Sequence, residues 1–524
     1  MRILTLLALA TAALAADNPA ARWWSHVVFL ADDKLEGRNT GSEGHRKAAA
    51  YVAGEFEKLG LKPAGTSAYI QPVKLTTGRI LESESSLAIV RGEVAEPLVL
   101  GDDANFGRGQ KGIERFEAPL VFAGYALRIP EEKQDDFAGL DVKGKVVLYL
   151  AGAPESIPGP VRAHFSSAAE RSRMLKEVGA IGAIAIQNPR STDVPWARST
   201  LSRLQMSMAL AGAASDEGGG LLSVSVNAAR AEKWFAGSGH TFEEVAALDR
   251  AGKPLPKFAL PISVRAKVRV ETGEAESQNV VALLPGRDKK LKNEYIVMSA
   301  HLDHLGAGAP INGDGIYNGA MDNASGIATL LEVAGGLRES KAKLRRSVLF
   351  IAVTGEEKGL LGSRFYANNP TVPKGSMVAN LNSDMFMPLV PLKILTAMGL
   401  DESSLGESIR KVVAAMGIEV EADPEPERNR FIRSDQYSFI RGGVPALAFK
   451  VGYVKDSPES EVGKKWIAER YHSPSDDINQ PVDFSAAADF NHVMRNLLVE
   501  IANDDERPRW KQDSFFRRFA KGPS

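Results

Sequence analysis

Residues 295–304, Tyr-Ile-Val-Met-Ser-Ala-His-Leu-Asp-His, pass from an apolar run directly into two histidines and an aspartate. A loop rich in Gly, Asn and Asp follows. Residues 319–326, Gly-Ala-Met-Asp-Asn-Ala-Ser-Gly, then place one aspartate in front of a long apolar segment. Metal sites of α/β proteins are commonly built where strands deliver His and Asp side chains into loops. Together the two segments predict one half of a metal centre.

Around these segments, from Asn279 to Glu500, short apolar runs alternate with helical patterns. The spacing predicts strands near 295–300, 347–353, 377–382 and 444–450, and helices near 324–338, 359–367, 403–416 and 485–502. Strands that alternate with helical crossovers are typical of a sheet with both faces covered. We therefore expect an α/β fold with a mixed, largely parallel central sheet and helices on both faces.

The chain of 524 residues is longer than a single hydrophobic core usually supports, about 250–300 residues, so at least two domains are expected. We predict four parts after the leader: an N-terminal part of the main domain at 17–68, an inserted β-rich module at 69–264, the catalytic domain at 265–503 and a tail at 504–524. In the module, His164 and His240 stand apart from other ligand types, so we expect structural roles for both. The tail is expected to be docked on the surface or frayed.

Charge and composition exclude several classes of function. The net charge is −1, which argues against a broad surface for nucleic acid, and no nucleic-acid partner is expected. The chain has no cysteine, so disulfides, thiolate ligands and a cysteine nucleophile are excluded. Any metal must be held by His, Asp and Glu.

The N-terminus has the pattern of a signal peptide. Arg2 precedes an apolar run at 3–14, and residues 13–15, Ala-Leu-Ala, have the small-x-small form of a cleavage site. We expect residues 1–15 to be removed and the protein to be exported to the periplasm or the medium. The alternative is a buried N-terminal helix. No later segment is long and apolar enough to span a membrane.

Two further predicted strands end in acidic residues, and a third histidine follows later. The run at 348–353 leads to Glu356 and Glu357, the run at 378–382 leads to Asp384, and His472 lies in a loop before the last helix. The carboxyl ends of parallel strands meet at one edge of a sheet, so these loops can converge.

This inventory suits two zinc ions, which need a bridging carboxylate, His and carboxylate ligands and an open position for water. Asp322 can bridge the two ions. His301 and Asp384 can complete one of them, and Glu357 and His472 can complete the other.

Two more residues are expected to support the chemistry. Asp303 suits the task of holding the imidazole of His301 by its other N–H. Neighbouring side chains diverge, so while Glu357 ligates a metal, Glu356 can face the water as the general base.

Each residue also has a simpler interpretation. Asp322 could be only the N-cap of the following helix, and the Glu pair could be first-turn residues that favour the helix dipole. His472 alone could be structural. The occurrence of all the required residue types at successive strand ends favours the metal centre.

The motifs resemble those of metallopeptidase family twenty-eight, which includes bacterial leucyl aminopeptidases, aminopeptidase Y, glutamate carboxypeptidase II and glutaminyl cyclases. The resemblance covers 279–502 in order, and also 37–42, Gly-Arg-Asn-Thr-Gly-Ser, with its following helix. It rests on five motifs: Ser-Ala-His-Leu-Asp-His, Gly-Ala-Met-Asp-Asn-Ala-Ser-Gly, Gly-Glu-Glu-Lys-Gly-Leu-Leu-Gly-Ser, Asn-Ser-Asp-Met and Tyr-His-Ser-Pro-Ser-Asp. It implies the same metal ligands, the same base and a cis peptide bond after Asp322.

The resemblance has further implications. Tyr471 is expected to help hold the tetrahedral oxyanion, although a simply packed aromatic ring is an equal alternative. Gln436 stands where many relatives have histidine, so no role is transferred to it. His304 is expected to lie near the site without ligating. The inserted module resembles a protease-associated domain through segments such as 121–125, Val-Phe-Ala-Gly-Tyr.

The function expected from these features is that of a secreted di-zinc aminopeptidase acting on peptides with a free N-terminus. A single-zinc enzyme like glutaminyl cyclase and a binding protein without activity are alternatives. A carboxypeptidase is another, since Arg428, Arg430 and Arg433 could hold a terminal carboxylate. The sequence does not predict side-chain specificity or oligomeric state.

Overall fold

The computed structural model of the protein describes residues 18–190, 194–212, 221–428 and 430–520. It divides into two compact units. The first comprises Met1–Lys74, Glu276–Pro424 and Arg430–Ser524, and the second comprises Leu75–Ala275 and Glu425–Asn429. The predicted leader at 1–15 lies outside the described residues. The boundaries at 69 and 264 stay predictions, and the units themselves divide at 74/75 and 275/276.

The first unit contains a long mixed sheet with helices around it. Its strands are β1 (Lys62–Pro63), β2 (Ile70–Ile80), β3 (Val270–Leu284), β4 (Tyr295–His301), β5 (Gly306–Ile311), β6 (Asp314–Tyr317), β7 (Ser347–Val353), β8 (Met377–Asn382), β9 (Ile394–Met398), β10 (Glu419–Glu421) and β11 (Ala446–Gly452). Its helices are α1 (Pro19–Leu30), α2 (Glu43–Lys58), α3 (Ser325–Glu339), α4 (Leu361–Asn368), α5 (Leu405–Ala415), α6 (Gln436–Arg441), α7 (Pro458–Glu469) and α8 (Phe484–Asn503).

Within the unit the strand order of the long sheet is β2-β3-β7-β4-β8-β11-β9-β10, and β1 pairs with β3 beside this path. Strands β5 and β6 form a separate two-stranded sheet. The four central strands β7, β4, β8 and β11 run parallel. β3 and β9 are antiparallel to their neighbours β7 and β11. The centre is parallel because helices return the chain across the sheet between these strands. The predicted α/β fold with a mixed, largely parallel sheet is confirmed.

Both faces of this sheet are covered. Met298 of β4 belongs to a large core that also contains buried residues of α1, α2, α3 and α8. The next residue back, Val297, belongs to a separate core with Tyr366 of α4 and Phe439 of α6. Side chains of a strand alternate between faces, so a strand buried on both sides reads as one continuous apolar run. This explains why the central strands were readable from the sequence.

The second unit is β-rich. Its eight-stranded sheet has the order Val94–Pro97, Ser86–Arg91, Lys257–Val268, Ile113–Ala123, Val146–Leu150, Gly182–Ile186, Leu222–Val226 and Ala104–Phe106. Its principal helices are Gly159–Ser166, Ala168–Glu177 and Phe242–Arg250. The four strands from Ile113–Ala123 to Leu222–Val226 are parallel, and the flanking pairs are antiparallel. His240 contacts Glu244 and stacks on Phe258, as expected of a structural residue.

The C-terminal segment is docked. Residues Phe515–Phe519 form a short 3₁₀ turn in which Phe516 is fully buried. Its ring contacts Phe431 and Trp510 at centroid distances of 5.3 and 5.9 Å. Among the residues that the structure describes, none of the helices combines the length and the apolar character needed to cross a membrane.

Candidate metal centre

Three neighbouring parallel strands deliver their loops to one edge of the sheet. His301 is the last residue of β4, which lies between β7 and β8. Glu356 and Glu357 follow the end of β7, and Asp384 follows the end of β8. Because these strands are parallel, their carboxyl ends meet at that edge. The convergence predicted from the sequence is therefore present.

The first group of donor atoms is formed by His301, Asp322 and Asp384. The Nε2 atom of His301 lies 3.2 Å from Oδ1 of Asp322 and 3.5 Å from Oδ1 of Asp384. A tetrahedral zinc ion with bonds near 2.0–2.1 Å separates its ligand atoms by about 3.3 Å. The three side chains are thus spaced as ligands of one cation.

The second group uses the other oxygen of the same aspartate. Nε2 of His472 lies 3.3 Å from Oδ2 of Asp322 and 3.4 Å from Oε2 of Glu357. These distances again match the separation of about 3.3 Å between tetrahedral ligands. Since Asp322 gives one oxygen to each group, its carboxylate stands where a bridge between two cations would stand.

The chemistry of the donors fits cations of this kind. Asp322 and Glu357 are buried, and the side chain of Asp384 is 16 % exposed. Buried carboxylates this close repel one another unless positive charge offsets them. Imidazole with carboxylate oxygen is a donor set that suits zinc and does not exclude cobalt or manganese.

Asp303 supports the site through both its main chain and its carboxylate. The ring of His301 is held by the main-chain carbonyl of Asp303, which accepts from Nδ1 at 3.0 Å. The Asp303 carboxylate instead accepts from Thr40 Oγ1 at 2.8 Å and from the main-chain N–H of Glu356 at 3.1 Å. Asp303 thus holds the imidazole of His301, as predicted, and does so through its main-chain carbonyl. The carboxylate holds the loop of the candidate base.

Glu356 stands beside the donor groups without belonging to either. Among the described residues, the sets of closely spaced donors are His301, Asp322 and Asp384, and His304, Asp322 and Glu357; Glu356 is in neither. Burial, together with the neighbouring carboxylates of Asp384 and Glu357, raises the pKa of Glu356 well above its ordinary value. A carboxylate with a raised pKa, free of the ligand groups, is suited to accept and release a proton. The different roles expected for Glu356 and Glu357 remain consistent with this geometry.

The loop that carries Asp322 is fixed by buried side chains from outside it. The carboxylate of Asp476 accepts from the main-chain N–H groups of Met321 and Asp322 at 2.9 and 3.0 Å. Asn323 donates to the carbonyl of Ser383 at 2.9 Å and so ties this loop to the one that carries Asp384. The Asp322–Asn323 peptide bond is cis, as the resemblance implied.

Asp322 is not the N-cap of the helix that follows this loop. Helix α3 begins at Ser325, and the side chain of Asp322 does not cap it. Asn323 Oδ1 accepts from the main-chain N–H of Gly326 at 3.0 Å instead. The acidic pair is likewise outside α4, which begins at Leu361.

The N-terminal segment of the unit is built into the site through Arg38. The buried guanidinium donates to the carbonyls of Leu302, Asn318 and Gly319 at 3.0, 2.7 and 3.0 Å. Gly37 has φ +64°, and a Cβ there would lie 2.3 Å from the carbonyl oxygen of Tyr317. Only glycine fits so close an approach. The segment at 37–42 therefore supports the site, a role that its sequence alone does not reveal.

Tyr471 packs as an aromatic residue next to the centre. Its ring lies 4.0 Å from that of His472, and it packs against a small apolar cluster of Met321, Met385 and Trp466. Burial, followed by the charge of Asp322, raises the pKa of Tyr471 well above its ordinary value. The phenol thus stays a neutral donor.

Two more residues steady the loop of Asp384. Lys450 donates from Nζ to the carbonyl of Asp384 at 2.6 Å. Burial by itself raises the pKa of Asp384, but the charges of Lys450 and His301 outweigh it and lower that pKa. Gln436 accepts from Asn382 at 2.9 Å, just before Asp384 in the chain. The amide found in place of histidine is thus part of the support.

The fold and site together define a class. The parallel strand ends of this α/β sheet present two groups of His and carboxylate donors and a separate glutamate. This is the arrangement of a metal-dependent hydrolase.

The comparisons with known proteins find similarity over the segment that carries the donors. The sequence model of Peptidase family M28 matches residues 279–498. Leupeptin-inactivating enzyme 1 of Streptomyces exfoliatus is 28 % identical over 214 residues, which cover 39 % of this chain and 44 % of that protein. Leucine aminopeptidase 1 of Trichophyton rubrum is 27 % identical over 233 residues, which cover 43 % and 58 %. The matches thus span about half the length of these relatives.

A solved structure extends the likeness to almost the whole chain. The aminopeptidase from Aneurinibacillus sp. strain AM-1 is 20 % identical, with a TM-score of 0.55 over 94 % of each chain. At this identity the likeness concerns the fold alone.

Proposed function

We propose that this protein is an exported two-zinc aminopeptidase that releases N-terminal residues from peptides. The observation that carries the proposal is the sharing of Asp322 by two donor groups, with Glu356 standing free beside them. Relatives of the family segment named as aminopeptidases support the choice of reaction. The free amine of the substrate would lie close to the acidic edge of the sheet.

The residues of the chain have separate tasks in this function. His301 and Asp384 would hold one zinc ion, Glu357 and His472 would hold the other, and Asp322 would bridge them. Bound zinc polarises the scissile carbonyl and makes water more acidic.

Proton transfer falls to Glu356. Its carboxylate takes a proton from the attacking water and gives it to the leaving amine. Asp303 holds the main chain of Glu356 in place, since its carboxylate accepts the N–H of that residue at 3.1 Å. The neutral phenol of Tyr471 is a candidate donor to the oxygen that becomes negative at the reacting carbon.

The experiment measures metal content and hydrolysis together. We expect about two zinc ions per chain, turnover of leucyl anilides with a free amine, and loss of turnover on N-acetylation. A Glu356→Gln variant should keep its zinc and lose at least about a hundredfold in kcat, because general-base catalysis typically contributes that much. The matched control is Glu332→Gln. Glu332 is a buried glutamate of the same unit that pairs with Arg22 at 3.1 Å, and this variant should keep kcat.

Two results would change the proposal. Full activity in Glu356→Gln would remove this residue from the chemistry. Preference for blocked substrates with a free C-terminus would replace aminopeptidase by carboxypeptidase. Two arginines are relevant to that alternative. Burial lowers the pKa of Lys450 near the centre, and the charges of Arg430 and Arg433 lower it further.

Export and the nature of the inserted module complete the proposal. The leader pattern at 1–15 supports secretion, and N-terminal sequencing of the exported protein should find a start near Asp17. A start at Met1 would refute it. The segments that resemble a protease-associated domain, together with the β-rich second unit, support a module of that type.

A further inference from the structure

The imidazole of His304 lies among the donors of the second group. Its Nδ1 atom is 2.9 Å from Oε1 of Glu357 and 3.8 Å from Oδ2 of Asp322. One donor atom from each of these three residues lies within 4.8 Å of the others. The distance to Glu357 is shorter and the distance to Asp322 is longer than the separation of about 3.3 Å between tetrahedral zinc ligands. His304 would therefore be a fourth protein ligand of a five-coordinate ion, which still has a position for water. A nitrogen of His304 thus stands where a ligand would stand.

Nδ1 of His304 faces the carboxylates of Glu357 and Asp322, which are themselves proposed metal ligands. His304 is fully buried, and neither nitrogen makes a hydrogen bond of acceptable geometry to any described residue. The short contact with Glu357 joins two side chains of the same donor group. Buried polar groups almost always have a partner, and leaving one without a partner costs free energy. A cation between these side chains would be that partner.

The surroundings of His304 hold its ring in this place. Its main-chain N–H donates to the carbonyl of Arg38 at 3.3 Å. Gly319 lies against the ring with φ +61°, and a Cβ there would be 2.5 Å from Cγ of His304. A ring packed directly on main chain has no space in which to swing away. The donor is therefore positioned before any cation binds.

We propose that His304 is a further metal ligand, so that the two halves of the centre are unequal. The half with His304 and His472 offers two imidazoles, and the half with His301 offers one. This inference rests on the two-cation centre of the proposed function. Imidazole favours zinc and cobalt over harder ions. The half with His304 therefore takes up its ion first and more tightly.

The ligands can be counted by ¹H NMR after the zinc is replaced with cobalt(II). Each imidazole that ligates cobalt(II) keeps one N–H proton, whose resonance moves far outside the usual range and vanishes in D₂O. With both sites loaded we expect three such resonances, from His301, His304 and His472. Two resonances in the wild-type protein would overturn the proposal.

Two variants of His304 separate ligation from mere support. His304→Ala should lose one resonance and weaken the tighter step of a zinc titration by about tenfold to a hundredfold or more. His304→Gln keeps a hydrogen-bonding side chain but has no imidazole, so it should behave like the alanine variant. If glutamine restores wild-type zinc affinity, His304 acts through Glu357 and is no ligand.

A buried histidine elsewhere in the unit provides the control. His45 is fully buried, and its Nδ1 atom lies 3.4 Å from Ser277 Oγ. His45→Gln should keep three shifted resonances and both zinc-binding steps. Thermal unfolding of the metal-free proteins identifies any variant that fails to fold. If one of the two His304 variants does not fold, the zinc titration is repeated on the other. Both readouts are independent of peptide hydrolysis, so the absence of aminopeptidase activity would leave this test intact.

Discussion

Replacing Thr40 by valine removes one hydroxyl from the support of Glu356 and keeps the shape of the side chain. In the structure, Thr40 Oγ1 donates to Asp303 Oδ2 at 2.8 Å, and Asp303 Oδ1 accepts the N–H of Glu356 at 3.1 Å. Thr40 and Asp303 are buried, so water cannot take the place of the lost donor. The carboxylate then loses one of the two bonds that orient it.

The size of the effect follows from the charge of the acceptor. A hydrogen bond to a charged group contributes about 1.5–3 kcal/mol, and each 1.4 kcal/mol is about tenfold in rate. If the bond is needed to hold Glu356 in the transition state, Thr40→Val should lower kcat by about tenfold to a hundredfold. KM and zinc content should change little, because Thr40 touches neither the proposed ligands nor the open edge.

The change should also depend on pH. Burial raises the pKa of Asp303, and the hydrogen bond from Thr40 lowers it, so the valine variant raises it further. The carboxylate must be ionised to accept both N–H and O–H bonds. The loss of kcat should therefore be larger toward acidic pH, and the acidic limb of the kcat–pH profile should move to higher pH.

Steady-state kinetics on a leucyl anilide, with zinc analysis of the same samples, measures this effect. Thr40→Ser keeps the hydroxyl and should recover most of kcat. Thr396→Val is the matched control, since Thr396 donates to Glu421 at 2.8 Å on strands at the other end of the sheet. It should lose stability without losing kcat. Equal kcat in Thr40→Val and the wild type would refute the argument, and so would a loss that simply follows loss of zinc.

Two further predictions concern the support of the bridge and the response to acid. The Asp476 carboxylate accepts the N–H groups of Met321 and Asp322, and Asp476→Asn replaces one of these acceptor oxygens by a donor. Zinc affinity, measured by chelator competition, should then fall by about tenfold to a hundredfold. Unchanged affinity would show that the loop keeps its shape without this carboxylate. Burial and nearby arginines lower the pKa of His45 to about 3. A lowered histidine pKa means that the unfolded chain binds the extra proton, so stability falls as the pH drops below about 6.5. Between pH 6.5 and 4.5 the metal-free wild type should lose about 2.5 kcal/mol more than His45→Gln in urea unfolding. Parallel loss in both proteins would contradict the assignment.

Several elements were readable from the sequence because burial on both faces leaves a strong pattern. The runs at 347–353 and 377–382 were predicted as strands and are β7 and β8 with the same bounds. The final helix was predicted at 485–502 and spans Phe484–Asn503. A long amphipathic repeat indicates a helix, and short apolar runs rich in β-branched residues favour strands.

Other elements were missed because their local signals are weak. The predicted elements did not include β9 (Ile394–Met398) or α6 (Gln436–Arg441), which are short. Helix α7 (Pro458–Glu469) was also missed, although Ser457 caps it and Pro458 begins it, because few of its residues are buried. Its start could have been found from that cap.

The residue types of the centre and their order along the chain were determined by the sequence. A donor at the end of a strand has to be His, Asp or Glu in a chain without cysteine, and parallel strands bring such ends together. The tertiary structure determined which residues hold each donor in place. Asp303 holds the neighbouring ring of His301 with its carbonyl, as expected, whereas its carboxylate bonds Thr40, 263 positions away. Such a bond depends on how distant segments pack, so it cannot be predicted from the spacing of residues along the chain.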